Sequence, residues 1–311
     1  MVWVWVGCAF GLGLLLGSFL NVCIVRVPRG QSVVSPGSRC VACGRGVRWF
    51  DNVPVLSWLV LRGKCRDCGV GISWRYPAVE LAVGFWAVIT LQSWVNLEIY
   101  KTTRLAGPTT GEFIELVGFA IFGWLLIGLI AIDWEWQRLP DAFTLTGIAI
   151  GTFLVCLQAV FLGPKDDQIV LSTKHQLRMS SPGSFAALGN VFLTGPESLI
   201  FGRIAAVAGA ALLMLVVRWT YRAVRKRDGL GLGDVKMLAM IAAFLGFWPA
   251  ILTLFFGTML AAGYGLVQVL RGRAGALTKL PLGSFLGVAG LFVALRGEAI
   301  LEWYRGLLGL G

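Results

Sequence analysis

Residues 229–236 read Gly229-Leu230-Gly231-Leu232-Gly233-Asp234-Val235-Lys236 and join a basic run to a long apolar segment. Glycines at alternate positions carry no side chain, so the backbone can bend and another segment can approach closely. Asp234 must then enter or border hydrocarbon, where a carboxylate is costly and is by default a functional candidate. The alternative is structural, because Asp is also a favoured helix N-cap residue. Which role Asp234 has depends on the rest of the chain.

The composition is that of a membrane protein. Of 311 residues, 57% are hydrophobic and only 14% are charged, and several runs approach the length needed to span a bilayer. The formal charge of +11 is concentrated in a few loops, so we interpret it as a topology signal. The alternation of aromatic and basic residues that is typical of nucleic-acid surfaces is missing, so no nucleic-acid partner is expected.

Eight apolar segments predict an all-α polytopic protein with about eight transmembrane helices. The segments cover residues 3–25, 77–96, 113–132, 142–163, 200–217, 234–247, 249–270 and 282–296. If they cross the membrane in turn, every strongly basic loop lies on one side, which the positive-inside rule places in the cytoplasm. The N-terminus is then outside, and its apolar run is expected to be a retained helix rather than a cleaved signal.

Three parts follow from this pattern. We predict a first transmembrane helix over residues 1–25 and a cytoplasmic loop domain over 26–76. A transmembrane domain then covers 77–311 and includes a polar outer-loop insertion at 164–199.

The loop domain contains two Cys-x-x-Cys pairs, each followed by a glycine. The pairs are Cys40 with Cys43 and Cys65 with Cys68, and 21 residues separate them. Four thiolates in two tight pairs suit tetrahedral zinc, and a metal would replace the hydrophobic core that so short a loop lacks. Two disulfides are the alternative, but the predicted side of the membrane is reducing. The sequence therefore predicts a structural zinc site.

Two carboxylates fall on the predicted cytoplasmic face, Asp133 and Asp234. Asp133 ends an apolar segment, where the helix dipole disfavours a carboxylate, so a capping role does not explain it. Asp141 directly precedes the next apolar run, which predicts that it is a helix N-cap. Two neighbouring carboxylates share one proton, so the ionised member can activate water while the protonated member polarises a carbonyl. This is the minimum equipment for aspartyl proteolysis.

Polar residues near the membrane boundary form a second group. Ser18 and Asn21 share one face of the first helix, where contact between helices is the structural alternative. For Gly17, helix contact is the favoured interpretation. Glu80 lies one turn inside the second helix, and its structural alternative is to snorkel to the interface.

Taken together, these motifs resemble the type IV prepilin peptidases, bifunctional leader peptidases and N-methyltransferases of the aspartic GxGD class. The motifs occur in the family's order over most of the chain. They are residues 17–21, both Cys-x-x-Cys pairs, and residues 51–54, 75–80, 133–141, 231–234 and 281–285.

The resemblance implies roles for particular residues. Asp133 and Asp234 would be the catalytic pair of a peptidase domain over 77–311, and the accessory residues near that site are Gly231, Gly233, Asp141 and Lys236. The candidates for methyl transfer or substrate binding are Asn21 and Glu80. Because no glycine-rich Rossmann fingerprint occurs, N-methylation and its donor, S-adenosylmethionine, rest on the resemblance alone.

The resemblance also implies a setting. The partners would be membrane-inserted prepilins or pseudopilins with a short basic leader, together with the lipid bilayer. The location would be the bacterial cytoplasmic (inner) membrane, with a multi-pass topology and a cytoplasmic catalytic face.

Two alternatives stay open from the sequence. One is a presenilin-like GxGD intramembrane protease, although the turn at Asp133 lacks the Tyr-Asp pair of those enzymes. The other is not an enzyme but a zinc-containing membrane scaffold or carrier, in which the acids are helix caps or ion-coupling groups.

Overall fold

The computed structural model describes residues 2–102, 110–161, 170–171, 177–178, 196–226, 231–272 and 280–307. Its helices are α1 (Val2–Arg26), α2 (Leu56–Val60), α3 (Arg75–Thr102), α4 (Thr110–Trp136), α5 (Asp141–Phe161), α6 (Pro196–Arg225), α7 (Leu232–Leu245), α8 (Phe247–Leu270) and α9 (Leu282–Leu307). Two 3-10 helices cover Val27–Arg29 and Trp49–Asn52. Strands β1 (Val170–Leu171) and β2 (Leu177–Arg178) form a short antiparallel pair.

The predicted all-α membrane fold is confirmed. Each of the eight predicted apolar segments overlaps one long helix, α1 or α3 to α9. Among the described residues, five helices are long and apolar enough to cross a membrane, namely α1, α4, α5, α6 and α8. The apolar part of α9 is shorter, at 282–297. That all eight helices cross a bilayer stays a prediction.

The chain divides into two compact units, and α4 contributes to both. The first unit contains residues 1–107 and 123–140, and the second contains 108–122 and 141–311. The two units are defined by contacts between residues. The predicted parts, by contrast, are continuous segments of sequence, namely 1–25, 26–76 and 77–311. The predicted division stays a prediction.

In the first unit, α1 and α3 touch backbone to backbone. A Cβ atom added at Gly13 would lie 2.7 Å from the Cα of Gly84, and one at Gly17 would lie 2.7 Å from the Cα of Glu80. No side chain fits between the helices at these points, so Gly17 has the helix-contact role that its sequence position favoured. The middle of α4 joins the pair, since Trp124 Nε1 donates to the carbonyl of Leu16 at 3.2 Å.

In the second unit, α7 forms the buried centre. Its residues Met237, Leu238, Met240 and Ile241 have no exposed surface, because α5, α6, α8 and α9 pack around this helix. Because other helices pack on several sides of α7, the positions of its two ends are held by the packing. The first of these ends carries Asp234.

The apolar stretch between the cysteine pairs is folded but not buried. It forms the 3-10 turn Trp49–Asn52 and the short helix α2, and Trp49 and Val60 remain 84% and 74% exposed. Much of the outer-loop insertion at 164–199 lies outside the described residues, as do His175, Gly229 and Leu230.

Candidate functional site

Asp133 lies in the last turn of α4, in the first unit, and is only 5% exposed. The helix ends through Gln137, whose N–H donates to the carbonyl of Asp133 at 2.9 Å and whose φ is +48°. A left-handed residue at this position is the usual way to stop a helix, although glycine is the usual choice. Asp133 is therefore a buried carboxylate at a helix end and not a surface charge.

Two basic residues hold the turn that carries Asp133. The guanidinium of Arg75, at the start of α3, forms an ion pair with Glu135. Arg29, just after α1, lies over the ring of Trp136 with 5.0 Å between its Cζ and the ring centroid. The last turn of α4 is therefore tied to the start of α3 and to the 3-10 turn that follows α1. Sequence reasoning missed these contacts, because nothing in the spacing of the residues brings Arg75 to Glu135.

Asp234 lies in the first turn of α7, in the second unit, three residues after Gly231. Its carboxylate accepts a hydrogen bond from the N–H of Gly231 at 3.2 Å. The structural alternative for Asp234 was an N-cap role. The N-cap is Gly231, however, and Asp234 is the third residue of the helix. The carboxylate nevertheless stabilises the helix start by reaching back to the cap backbone.

The glycine at 231 leaves room for this carboxylate. A Cβ atom there would lie 3.1 Å from Asp234 Oδ2, which is a tight contact for a charged oxygen. A side chain at position 231 would therefore crowd the carboxylate of Asp234. Glycine lets the backbone approach that carboxylate closely.

Asp141 and Lys236 form an ion pair. Lys236 Nζ lies 2.6 Å from Asp141 Oδ1, so the first turn of α5 is joined to the second turn of α7. The helix α5 begins at Asp141, within one residue of the N-cap position that the sequence predicted. All four accessory residues, Asp141, Gly231, Gly233 and Lys236, thus belong with Asp234 to the second unit. That Asp133 and Asp234 act as a pair stays a prediction.

The four cysteines of the loop domain form one cluster. Their Sγ atoms all lie within 4.8 Å of one another, and those of Cys40 and Cys68 are 3.7 Å apart. A tetrahedral zinc with Zn–S bonds of about 2.3 Å would place its sulfurs about 3.8 Å apart, so the donor set and its spacing fit zinc. All seven cysteines, which lie within the described residues, are free thiols, so the disulfide alternative is not what the structure contains.

The two cysteine turns have the same backbone design. Gly44 donates to the carbonyl of Cys40 and Gly69 to that of Cys65, each at 2.9 Å, with φ angles of +70° and +72°. Isolated bridges pair Arg39 with Gly46 and Lys64 with Gly71. The sequence carries this repeat as Cys-x-x-Cys-Gly-x-Gly in both halves, so the second glycine of each turn could have been recognised.

The pKa values of the cysteine thiols favour a cation within the cluster. The backbone N–H groups of Cys43 and Ala42 lower the pKa of the Cys40 thiol to about 6. For Cys68, the N–H of Val70 lowers the pKa, but desolvation and the three neighbouring sulfurs outweigh it and raise the pKa to about 12. Four thiolates cannot form together without a positive charge among them, and a divalent metal supplies that charge.

Glu80 and Asn21 are both buried in the first unit. Glu80 is 7% exposed and accepts hydrogen bonds from the Val55 N–H, at 2.8 Å, and from the Ser18 hydroxyl. The carboxylate therefore turns toward the loop domain, whose backbone holds it in place of solvent. Val55 has φ +59°, which is strained for a β-branched residue.

A cavity of about 760 Å³ lies in the first unit, between α1, α3 and the loop domain. Asn21 and Glu80 line it on the helix side, and Val53, Trp58 and Ile72 are among its apolar lining on the loop side. Asn21 Nδ2 donates to the carbonyl of Tyr76 at 2.9 Å, which fixes the orientation of the amide. The two methyl-transfer candidates that the sequence named thus meet at one cavity.

These features define a class of protein: an α-helical membrane protein with a four-cysteine metal-site domain and a helix that starts at Gly-x-Gly-Asp. Residues 12–94 match the bacterial peptidase A24 N-terminal domain, and residues 177–266 match the type IV leader peptidase family. The chain belongs to the type IV leader peptidase family.

Curated relatives agree with this assignment, and all three described here are named prepilin leader peptidase/N-methyltransferase. The protein of Dichelobacter nodosus is 32% identical over 316 residues, covering 92% of this chain and 90% of its own. That of Stutzerimonas stutzeri is 30% identical over 323 residues, with 96% and 92% covered. That of Myxococcus xanthus (strain DK1622) is 35% identical over 274 residues, with 87% and 65% covered. No solved structure matches the chain.

Proposed function

We propose that this protein removes the leader peptide of type IV prepilins and then N-methylates the new amino terminus. The observation that carries the proposal is similarity over at least nine tenths of both chains to two relatives named for this pair of activities. This favours leader cleavage over the presenilin-like protease and over the scaffold or carrier, neither of which is named among these relatives.

Cleavage is assigned to Asp133 and Asp234 as a pair. One carboxylate, when ionised, takes a proton from water, and the protonated one polarises the scissile carbonyl and then gives its proton to the leaving amine. Asp133 is buried, and Asp234 lies in the first turn of α7, most of whose later residues are buried. Both observations support preorganised positions for the two carboxylates. The Asp141–Lys236 ion pair would position the start of α7 without touching substrate.

Methylation is assigned to the first unit, with S-adenosylmethionine as donor. Such a donor would supply a methyl group to the lone pair of the new amino terminus. The sulfonium sulfur would keep the electrons of the broken S–C bond, and one amine proton would leave to water. The cysteine cluster would hold structural zinc and so keep the loop domain folded around the cavity. Asn21 and Glu80 are the residues assigned to this site.

The setting follows from the same assignment. The substrates would be membrane-inserted prepilins or pseudopilins whose short basic leader lies in the cytoplasm, with cleavage just before the transmembrane helix begins. The enzyme would be a multi-pass protein of the bacterial cytoplasmic membrane. Its basic loops would face the cytoplasm and the anionic lipid headgroups there.

The test is a single reaction of purified protein in detergent with a prepilin and S-adenosylmethionine. The product's mass reports leader removal and methylation together. Asp133→Asn and Asp234→Asn are nearly isosteric and should each abolish cleavage, since one carboxylate cannot perform both proton transfers. Glu115→Gln is the matched control, because Glu115 is an exposed acid of α4 that accepts a hydrogen bond from Gln158.

Each variant is compared at equal folded protein, judged by thermal unfolding. Substantial cleavage by either aspartate variant would refute the dyad. Failure of the wild-type protein to cleave any prepilin would refute the peptidase function and return the scaffold or carrier to consideration.

A further inference from the structure

The cavity of the first unit has the size and walls of a small-molecule site. Its volume of about 760 Å³ is within the usual range for ligand pockets, roughly 300 to 1,000 Å³. Trp58, Val53 and Ile72 give it apolar and aromatic surface, and Asn21 and Glu80 lie at the helix wall. The other charged lining residues are Arg26, Arg39, Arg45, Arg48, Arg66, Asp51 and Asp67. An apolar pocket with a few convergent polar groups is the usual form of a binding site for an organic molecule.

One polar atom in this wall lacks a partner. Asn21 is 2% exposed, and its Nδ2 is committed to the Tyr76 carbonyl at 2.9 Å. The opposite atom, Oδ1, is buried and has no hydrogen-bond partner among the described residues. A buried acceptor without a donor is costly, so the site is complete only when a donor from outside the described chain reaches it.

Glu80 supplies charge at the same wall. Both donors that reach it within the described residues, the Val55 N–H and the Ser18 hydroxyl, are neutral. A carboxylate has about four lone-pair positions, so two donors leave it able to accept more. A carboxylate and an amide oxygen together favour a cationic donor with several N–H groups.

We propose that Asn21 Oδ1 and Glu80 bind a primary ammonium group, and that this cavity is the methyl-transfer site. The inference rests on the proposed methylation and gives that activity its place and its recognition chemistry. Two reactants carry such an ammonium: the amino-acid end of the methyl donor and the new N-terminus of the trimmed pilin. The cavity wall recognises the group that they share.

The key variant is Glu80→Gln. The amide keeps the length of the side chain and an oxygen that can accept from the Val55 N–H, so the contact to the loop domain should survive while the negative charge is lost. We expect methylation at subsaturating substrate to fall about 10- to 100-fold, as for loss of a hydrogen bond to a charged group. Leader cleavage and bound zinc should be unchanged, and Glu115→Gln should change neither activity.

Two binding measurements distinguish the sources of the ammonium. If it belongs to the methyl donor, Glu80→Gln weakens binding of S-adenosylmethionine but not of 5′-methylthioadenosine, which lacks the amino-acid end. If it belongs to the pilin, Glu80→Gln leaves binding of S-adenosylmethionine unchanged and raises the KM for a trimmed pilin with a free amino terminus. Either result supports the proposal.

Asn21→Ala is the second variant and keeps the proposal testable if Glu80→Gln does not fold. It should weaken the same binding step as Glu80→Gln and leave cleavage intact. Unchanged methylation and binding in a folded variant of either residue would overturn the proposal. A wild-type protein that cleaves prepilin but does not bind S-adenosylmethionine would also overturn it, while leaving the peptidase assignment in place.

Discussion

At the scale of single residues, the ion pair between Asp141 and Lys236 has a limited role. The two side chains are 61% and 33% exposed, and an exposed pair contributes about 0 to 1 kcal/mol. Asn also suits a helix start about as well as Asp. Asp141→Asn should therefore reduce cleavage by about tenfold or less, in contrast to the loss expected for Asp133→Asn.

A double-mutant cycle on prepilin cleavage checks this limited role. If the pair acts as one unit, Asp141→Asn combined with Lys236→Gln should be no worse than the more damaging single variant. Complete inactivity of Asp141→Asn in a folded protein would instead place Asp141 in the catalytic machinery.

Residue type and spacing identified most of the candidate residues but not their contacts. The pairs of cysteines and the glycines before Asp234 are local patterns, so the sequence alone was enough to find them. The hydrogen bond from the Val55 N–H to Glu80 joins residues 25 positions apart, and that from Asn21 to Tyr76 joins residues 55 apart. Such contacts depend on how α1, α3 and the loop domain pack, which local patterning does not determine.

At the scale of elements, the contact between α1 and α3 rests on small residues. Gly17→Ala would place a methyl group 2.7 Å from the Cα of Glu80, and backbone atoms cannot move aside cheaply. We expect a loss of about 1 to 3 kcal/mol in the free energy of unfolding, as for other overpacked sites. Thermal unfolding in detergent measures this loss.

Gly11→Ala is the matched control, because a Cβ atom at Gly11 would meet nothing within 4 Å. That change should be neutral or slightly stabilising, since alanine is the better helix former. Equal effects of the two substitutions would show that the close approach of α1 and α3 is not needed for stability.

The loop domain is the element that depends on metal. Purified protein should contain about one zinc per chain, because one cluster offers four thiolate ligands. Replacing Cys40 and Cys65 by Ser removes one ligand from each cysteine turn and should empty the site and increase proteolysis of residues 30–74. Elemental analysis and limited proteolysis measure both effects. Zinc retained at full occupancy in the double variant would contradict the assignment of the ligands.

The element boundaries were predictable to different degrees. Apolar runs located all eight long helices, because burial in hydrocarbon demands continuous apolar sequence. The short helix α2 was not predicted, since five residues carry no period and its start depends on the bond between Val55 and Glu80. The stretch around Trp49 is apolar and aromatic, and its exposure favours a position at the membrane interface.

At the scale of the whole molecule, the basic residues give a single topology. If the eight long helices cross in alternation, the basic ends of α1, α6 and α8 and the start of α3 all face one side. These positions are Arg26, Arg222, Arg225, Arg271 and Arg75. By the positive-inside rule this side would be the cytoplasm, with the loop domain inside and the N-terminus outside.

Labelling of single cysteines in intact cells tests this topology. In a background where Cys8, Cys23 and Cys156 are replaced and the loop cysteines are kept masked by their metal, Ser32→Cys should react with a membrane-impermeant maleimide only after the cells are opened. His175→Cys, in the predicted outer loop, should react in intact cells.

The same orientation places Asp133, at the end of α4, and Asp234, at the start of α7, on the cytoplasmic side, which the proposed dyad requires. Labelling of Ser32→Cys in intact cells would reverse the topology and, with it, the face on which leader cleavage is proposed.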